Sequence, residues 1–251
     1  ALFWHGHFAT NEEKVRDYRK LLNQNQVFRE YGTANFKQLL IEVSQDPAML
    51  SFLDAGVNVK GSPNENFARE IMELFTMGVG QYTEEDIREA ARAFTGWNYI
   101  DLQFVVNAEQ HDSSDKIFFG NTGNWDGLDV IDMILEKPVT AEYISGKIYK
   151  FFVRDDIDPK TKKELGAVLQ NSAYEIKPLL EKIFLSKDFY SSASMGTHIK
   201  SPVELVISTY KKLGLVVIPG VPDFYDTTES LGQILLFPPT VAGWAGGQSW
   251  V

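Results

Sequence analysis

The sequence predicts a mainly α fold: one helical domain over residues 1–251, with a small β-hairpin insertion around residues 98–120. Three observations predict it. Apolar residues recur at helical spacing over most of the chain. Helix-start devices recur as well, a capping side chain followed by proline or by an acid three positions on. One stretch, 97–127, has the short β-tolerant runs between polar residues that strands leave behind.

Residues 12–30 are polar with sparse apolar positions, Val15, Tyr18, Leu22 and Phe28. From Asn35 the pattern strengthens, with Phe36, Leu39, Leu40 and Val43 on one helical face. Pro47 after Asp46 opens a short helix through Leu53. Residues 61–78 then read as a helix with a start at Ser62-Pro63-Asn64-Glu65, a capping box with proline, and a stop at Gly78. Thr83-Glu84-Glu85-Asp86 starts the next helix with acids at its positive end. Residues 99–106 and 116–119 supply the β-tolerant runs. Helices are expected again over 128–136, 138–153, 161–171, 176–185 and 201–213, the last opened by Ser201-Pro202-Val203-Glu204, and over 228–236. The tail from Phe237 is too rich in Pro and Gly for a helix.

With 44% hydrophobic and 23% charged residues the chain has an ordinary globular balance. Its formal charge of −10, from 34 acids and 24 bases, argues against sequence-independent nucleic-acid binding, and no Lys/Arg cluster along the chain proposes a local basic patch. The absence of cysteine excludes disulfides, zinc-thiolate sites, iron–sulfur clusters and a cysteine nucleophile. No apolar run approaches the ~20 residues that span a bilayer, so no transmembrane segment is expected. The chain opens at Ala1 inside what reads as an element, without a signal-peptide pattern, and so reads as a fragment or processed form of a longer chain.

Several landmarks stand in order along the sequence. They are Leu2-Phe3-Trp4-His5-Gly6-His7-Phe8-Ala9-Thr10, Asp46-Pro47-Ala48-Met49-Leu50, Pro63-Asn64-Glu65-Asn66-Phe67-Ala68-Arg69-Glu70, and Ala93-Phe94-Thr95-Gly96-Trp97. His111-Asp112, Lys200-Ser201-Pro202-Val203-Glu204 and Pro239-Thr240-Val241-Ala242-Gly243-Trp244 follow. Together they make the chain resemble, over nearly its whole length, the bacterial "domain of unknown function 1800" family. The resemblance implies an extracytoplasmic bacterial protein, periplasmic or secreted, and a partner from the family called domain of unknown function 1501. It supplies no catalytic residues.

Site chemistry is therefore read from the residues. His5 and His7 stand two apart, a spacing that points both imidazoles to one side of a strand but separates them by about 200° on a helix. In the helix after Ser62, Asn66, Glu70, Glu73 and Met77 line one face, while Phe67, Ile71, Leu74 and Phe75 form the core face. Two carboxylates one turn apart can ligate a cation, or one of them can be raised in pKa to act as a general acid. Glu70 and Glu73 are the candidate catalytic pair, with Asn66 and Arg69 beside them as substrate contacts. The plainer alternative is a solvated stripe with Arg69 and Glu73 as an ion pair. His111 and Asp112 lie in the irregular region, where a binding loop is easily built; they either reach a metal or cap a turn. Asp126 accounts for the acidic stretch 121–132 as a helix cap, since the alternating ligands of an EF-hand are missing.

Two function classes follow. In the first, His5, His7, His111 and Asp112 gather with Glu70 around one divalent metal ion, and the protein is a metal-assisted hydrolase or lyase that activates a bound water. In the second it is a non-catalytic binding or scaffold protein of the cell envelope, whose rings stack on polysaccharide. Helical spacing puts Phe36, Phe67, Phe75, Phe94, Phe151 and Phe152 inside, which leaves the tail residues Trp244 and Trp250 as the aromatic contacts.

Overall fold

The computed structural model describes residues 1–215 and 224–250. Its elements in order are α1 (Leu2–His7), α2 (Glu12–Val15), α3 (Tyr18–Tyr31), α4 (Phe36–Ser44), α5 (Pro47–Phe52), α6 (Asn66–Met72) and α7 (Glu84–Ala93). Two antiparallel hairpins follow, β1 (Trp97–Ile100) with β2 (Gln103–Val106), and β3 (Lys116–Phe118) with β4 (Asn121–Gly123). Then come α8 (Gly127–Glu136), α9 (Pro138–Phe152), α10 (Pro159–Asn171), α11 (Ile176–Phe184), α12 (Pro202–Lys212) and α13 (Phe224–Ser230). The fold is mainly α with a small β insertion, and the insertion is two hairpins. Asp101, in the left-handed region at φ 54°, turns the chain within the first β-tolerant run.

One cluster of buried apolar side chains runs from Trp4 to Ile183. The face read from α4 is its centre, with Phe36, Leu39, Leu40 and Val43 fully buried. Phe8 lies between Phe36 and Phe75, which brings α1, α4 and the helix ending at Gly78 onto one aromatic stack. Phe67, Phe94 and Trp97 extend the stack in edge-to-face contacts toward the hairpins. Phe151 and Phe152 were expected inside. Instead they sit at the end of α9, Phe151 half-buried and Phe152 39% exposed.

Helix starts divide into those that form as expected and those that do not. Thr83–Asp86, Asp126–Asp129 and Ser201–Glu204 are reciprocal capping boxes. Ser62–Glu65 is not, and α6 begins only at Asn66. The Asn58 side chain is the reason: its Oδ1 accepts from the Asn64 N–H, while Asn64 Oδ1 accepts from the Asn66 N–H. The chain is thereby held extended before the helix, and Glu65 turns to Arg69 instead of reaching back to Ser62. The helix expected over 228–236 is also displaced, to Phe224–Ser230. Leu236 takes a left-handed φ of 67°, its N–H donating to His5 Nε2 and its carbonyl accepting from the Glu12 N–H. Those tertiary bonds outweigh local helix propensity.

The long helix begun at Asn66 loosens at its end. Residues Glu73–Met77 form a π-turn, in which the Gly78 N–H reaches the Glu73 carbonyl five residues back. Gly78, at φ 84°, then stops the helix. A helix end leaves its last carbonyls without intrahelical partners. Here they are met by side chains from elsewhere: the Tyr143 hydroxyl donates to Leu74 O at 3.1 Å, and the His7 ring N–H to Phe75 O at 3.1 Å. Among the described residues no helix is long and apolar enough to cross a membrane.

Candidate functional site

The segment after α13 folds back over α1. The Asn11 amide donates to the Pro238 carbonyl, and Leu236 is bonded to both His5 and Glu12. Gly243, at φ 81°, lies so close to the Gly6 backbone that a Cβ built on it would come within 2.2 Å of the Gly6 carbonyl oxygen. That approach sets Trp244 at the mouth of a cleft of about 390 Å³ between α1, α9, the start of α12 and the tail. The volume falls at the low end of the roughly 300–1,000 Å³ typical of small-molecule sites.

Phe3, Phe151 and Trp244 form the apolar walls, and His7, Lys147, Lys150, Asp155, Ser201 and Gln233 supply the polar groups. His7 is buried, its ring parallel to that of Phe3 and edge-on to Trp4. Because its Nε2 donates to a carbonyl, the proton sits there and Nδ1 carries a lone pair. That Nδ1 is buried and has no hydrogen-bond partner among the described residues. Burial, with a smaller contribution from the nearby Lys147 charge, holds the imidazole well below its ordinary pKa, so it stays neutral. Lys147 lies one helical turn beyond Tyr143, its ammonium 5.4 Å from that ring. Neither Lys147 nor Lys150 has a carboxylate within ion-pair distance among the described residues. Burial lowers the Lys147 amine to about 8. The cleft thus offers a poorly solvated cation, a neutral imidazole in its wall, one carboxylate at Asp155 and aromatic walls.

The candidate ligands for a metal ion fall in two places. On the helical α1, His5 and His7 point apart: His5 Nε2 accepts from the Leu236 N–H, and burial lowers its pKa to about 4. His111 donates from Nδ1 to the Thr95 carbonyl at 2.8 Å. Asp112 accepts from Arg92 Nε at 2.8 Å and from both the hydroxyl and the N–H of Ser114. Burial alone would raise the Asp112 carboxyl, but Arg92 and Ser114 hold it well below the carboxylate range. The buried Lys116 ammonium donates to the Asp112 and Ser114 carbonyls, which completes a clasp between α7 and β3. Among the described residues no three His, Asp or Glu side chains converge as a metal site would require.

Residues of the polar stripe on α6 are partly committed. The Asn66 amide donates to the Leu53 carbonyl, and Arg69 pairs with Glu65 and Glu84, not with Glu73. Glu73 instead accepts a short hydrogen bond from the Tyr82 hydroxyl. Glu70 is half-buried, and its pKa is raised first by burial and then by the Glu73 charge. Tyr143 is raised by burial and then by the same Glu73 charge, so Glu73 lies near the α9 face that carries Tyr143 and Lys147. Trp244 is the one expected contact that the fold places in the cleft, 5.4 Å from His5 between ring centroids. Lys147 and Lys150 were not expected. They lie three apart on a helix read as ordinary, and what makes them part of a cleft is the fold-back of a tail nearly a hundred residues away.

Fold and cleft together define a mainly α protein with an open, lysine-bearing cleft. The whole chain, residues 1–251, matches the family described as Protein of unknown function (DUF1800), and the protein belongs to that family. No curated protein and no solved structure matches it.

Proposed function

We propose that the protein binds an acidic sugar of the cell envelope in the cleft between His7, Lys147 and Trp244. The observation that carries this is the unpaired, half-buried Lys147 ammonium beside an imidazole acceptor that lacks a donor, under a tryptophan. A buried cation without a partner is costly until an anion meets it, and an unsatisfied buried acceptor is costly until a donor does. An acidic sugar supplies both complements, a carboxylate or ester anion and hydroxyl donors, and its ring has an apolar face for Trp244. Metal-assisted hydrolysis or elimination lacks a convergent ligand set among the described residues, so non-catalytic binding is the better supported of the two classes. The setting implied by the family resemblance, outside the cytoplasm and beside a domain of unknown function 1501 protein, suits such a ligand.

The test is retention on immobilised polygalacturonate compared with neutral dextran. The protein should be retained on the acidic matrix alone, and Lys147→Ala or Trp244→Ala should release it while the helical circular dichroism is unchanged. Equal retention on both matrices, or wild-type retention by both variants, would contradict the proposal.

A further inference from the structure

We infer that the ligand is a chain of acidic sugar units running out of the cleft, past Leu2, into a second groove along α12. This rests on the acidic-sugar cleft proposed above and adds its extent and direction. Leu2 lines both cavities, so the two lie on either side of one side chain. The second groove, about 320 Å³, has an aliphatic floor of Leu2, Val203 and Ile207 with His198, Lys200 and Lys211 around it.

Charge selects the occupant. In a chain with 34 acids and 24 bases, the linings of these two grooves reverse the balance: Lys147, Lys150, Lys200 and Lys211 against Asp155 and Glu204. Glu204 is already engaged, accepting from the Ser201 N–H in the capping box and lying 3.3 Å from His198 Nε2. Lys200 is positioned over α12 by donating to the Ser208 hydroxyl at 2.8 Å. The row of ammonium groups across the two linings therefore runs from the half-buried Lys147 to the exposed Lys211, opposed by Asp155 and Glu204. A polymer bearing one anion per unit matches such a row. A single sugar acid fills the first cavity and leaves the second vacant.

Filling both subsites with one molecule makes the second contact intramolecular, which raises affinity by roughly ten-fold or more when the spacing fits. The experiment is calorimetric titration of the protein with galacturonic acid and with oligogalacturonates of two to six units, at low salt. Affinity should rise at least ten-fold between monomer and tetramer. The double variant Lys200→Ala/Lys211→Ala should lose that gain while binding the monomer as before. Affinity independent of length, or a double variant that keeps the gain, overturns the extension and leaves the cleft proposal standing. Failure of every length to bind overturns the cleft proposal and the extension together. Light scattering on the same samples adds one more outcome: a dimer that dissociates on Val203→Glu would mean that the groove is covered by a second copy of the chain.

Discussion

His7 and Phe75, 68 positions apart in sequence, are joined by a 3.1 Å hydrogen bond from the imidazole Nε2–H to a carbonyl that the π-turn leaves without a helical partner. The bond fixes the tautomer of a buried histidine that lines the cleft, and so leaves its Nδ1 with a lone pair that has no partner among the described residues. The aromatic N-terminal helix and the helix ending at Gly78 thus act as one unit, the second shaping the chemistry of the first.

His7→Gln should separate the two roles of this side chain. A glutamine amide can still donate to Phe75 O but has no atom in place of Nδ1. The melting temperature should change little and ligand affinity should fall about ten-fold, close to one hydrogen bond. His7→Phe removes the donor too and should cost roughly 1–3 kcal/mol of stability through the orphaned carbonyl. Parallel thermal melts and ligand titrations check both outcomes.

Affinity for an anionic ligand should fall as pH rises through about 8, where the Lys147 amine loses its charge. The sign follows from linkage: a bound anion favours the protonated amine, so binding takes up a proton and weakens as protons become scarce. Calorimetry in buffers of different ionisation enthalpy should detect proton uptake near pH 8. Lys147→Arg, charged at every accessible pH, should flatten the profile.

Stability should carry a separate acidic dependence from Asp46. Burial raises its carboxyl from 3.8 to about 6, against the hydrogen bonds from the Ala48 and Met49 N–H groups and the Gln24 amide that favour the charged form. Between about pH 4 and 6 the folded state holds a proton that the unfolded state has lost, so stability falls as pH rises across that window. The effect is on the order of 1–3 kcal/mol. Urea unfolding from pH 4 to 7 should show this slope, and Asp46→Asn should remove it.

Gly243→Ala should open the tail. The residue sits at φ 81°, and its Cβ would meet the Gly6 carbonyl oxygen at 2.2 Å, so the substitution is strained both in its backbone and in its contacts. A loss of roughly 1–3 kcal/mol in local closure is expected. Limited proteolysis should then cut between residues 231 and 246 faster than in the parent, and ligand binding should weaken with it.

The helices were legible because their signals are local. The α4 face, proline at the start of α5, and the capping boxes at Thr83 and Ser201 depend on residues within a turn of one another. The box expected at Ser62 failed because Asn58, outside the motif, captured Asn64. The helix expected through Leu236 failed because His5, 231 positions away, captured its N–H. The cleft was legible at Trp244 and, in a different role, at His7, which was read as a metal ligand and lines the cleft. His5 and His7 stood out as a pair, yet the helix that carries them points them to different partners, and a spacing of two cannot show whether it lies on a strand or a helix. Lys147 and Lys150 gave no local sign, since their meaning comes from the fold-back of the tail against α1.

The most direct test is the protonation of the Lys147 amine itself, followed by NMR of 13C-labelled lysine side chains from pH 6 to 11, without and with galacturonic acid. One amine should titrate near 8 in the ligand-free protein, be absent in Lys147→Arg, and rise by about one unit or more when the acid binds. A Lys147 amine that titrates with the surface lysines, or that does not respond to the acid, would contradict an anion site in this cleft.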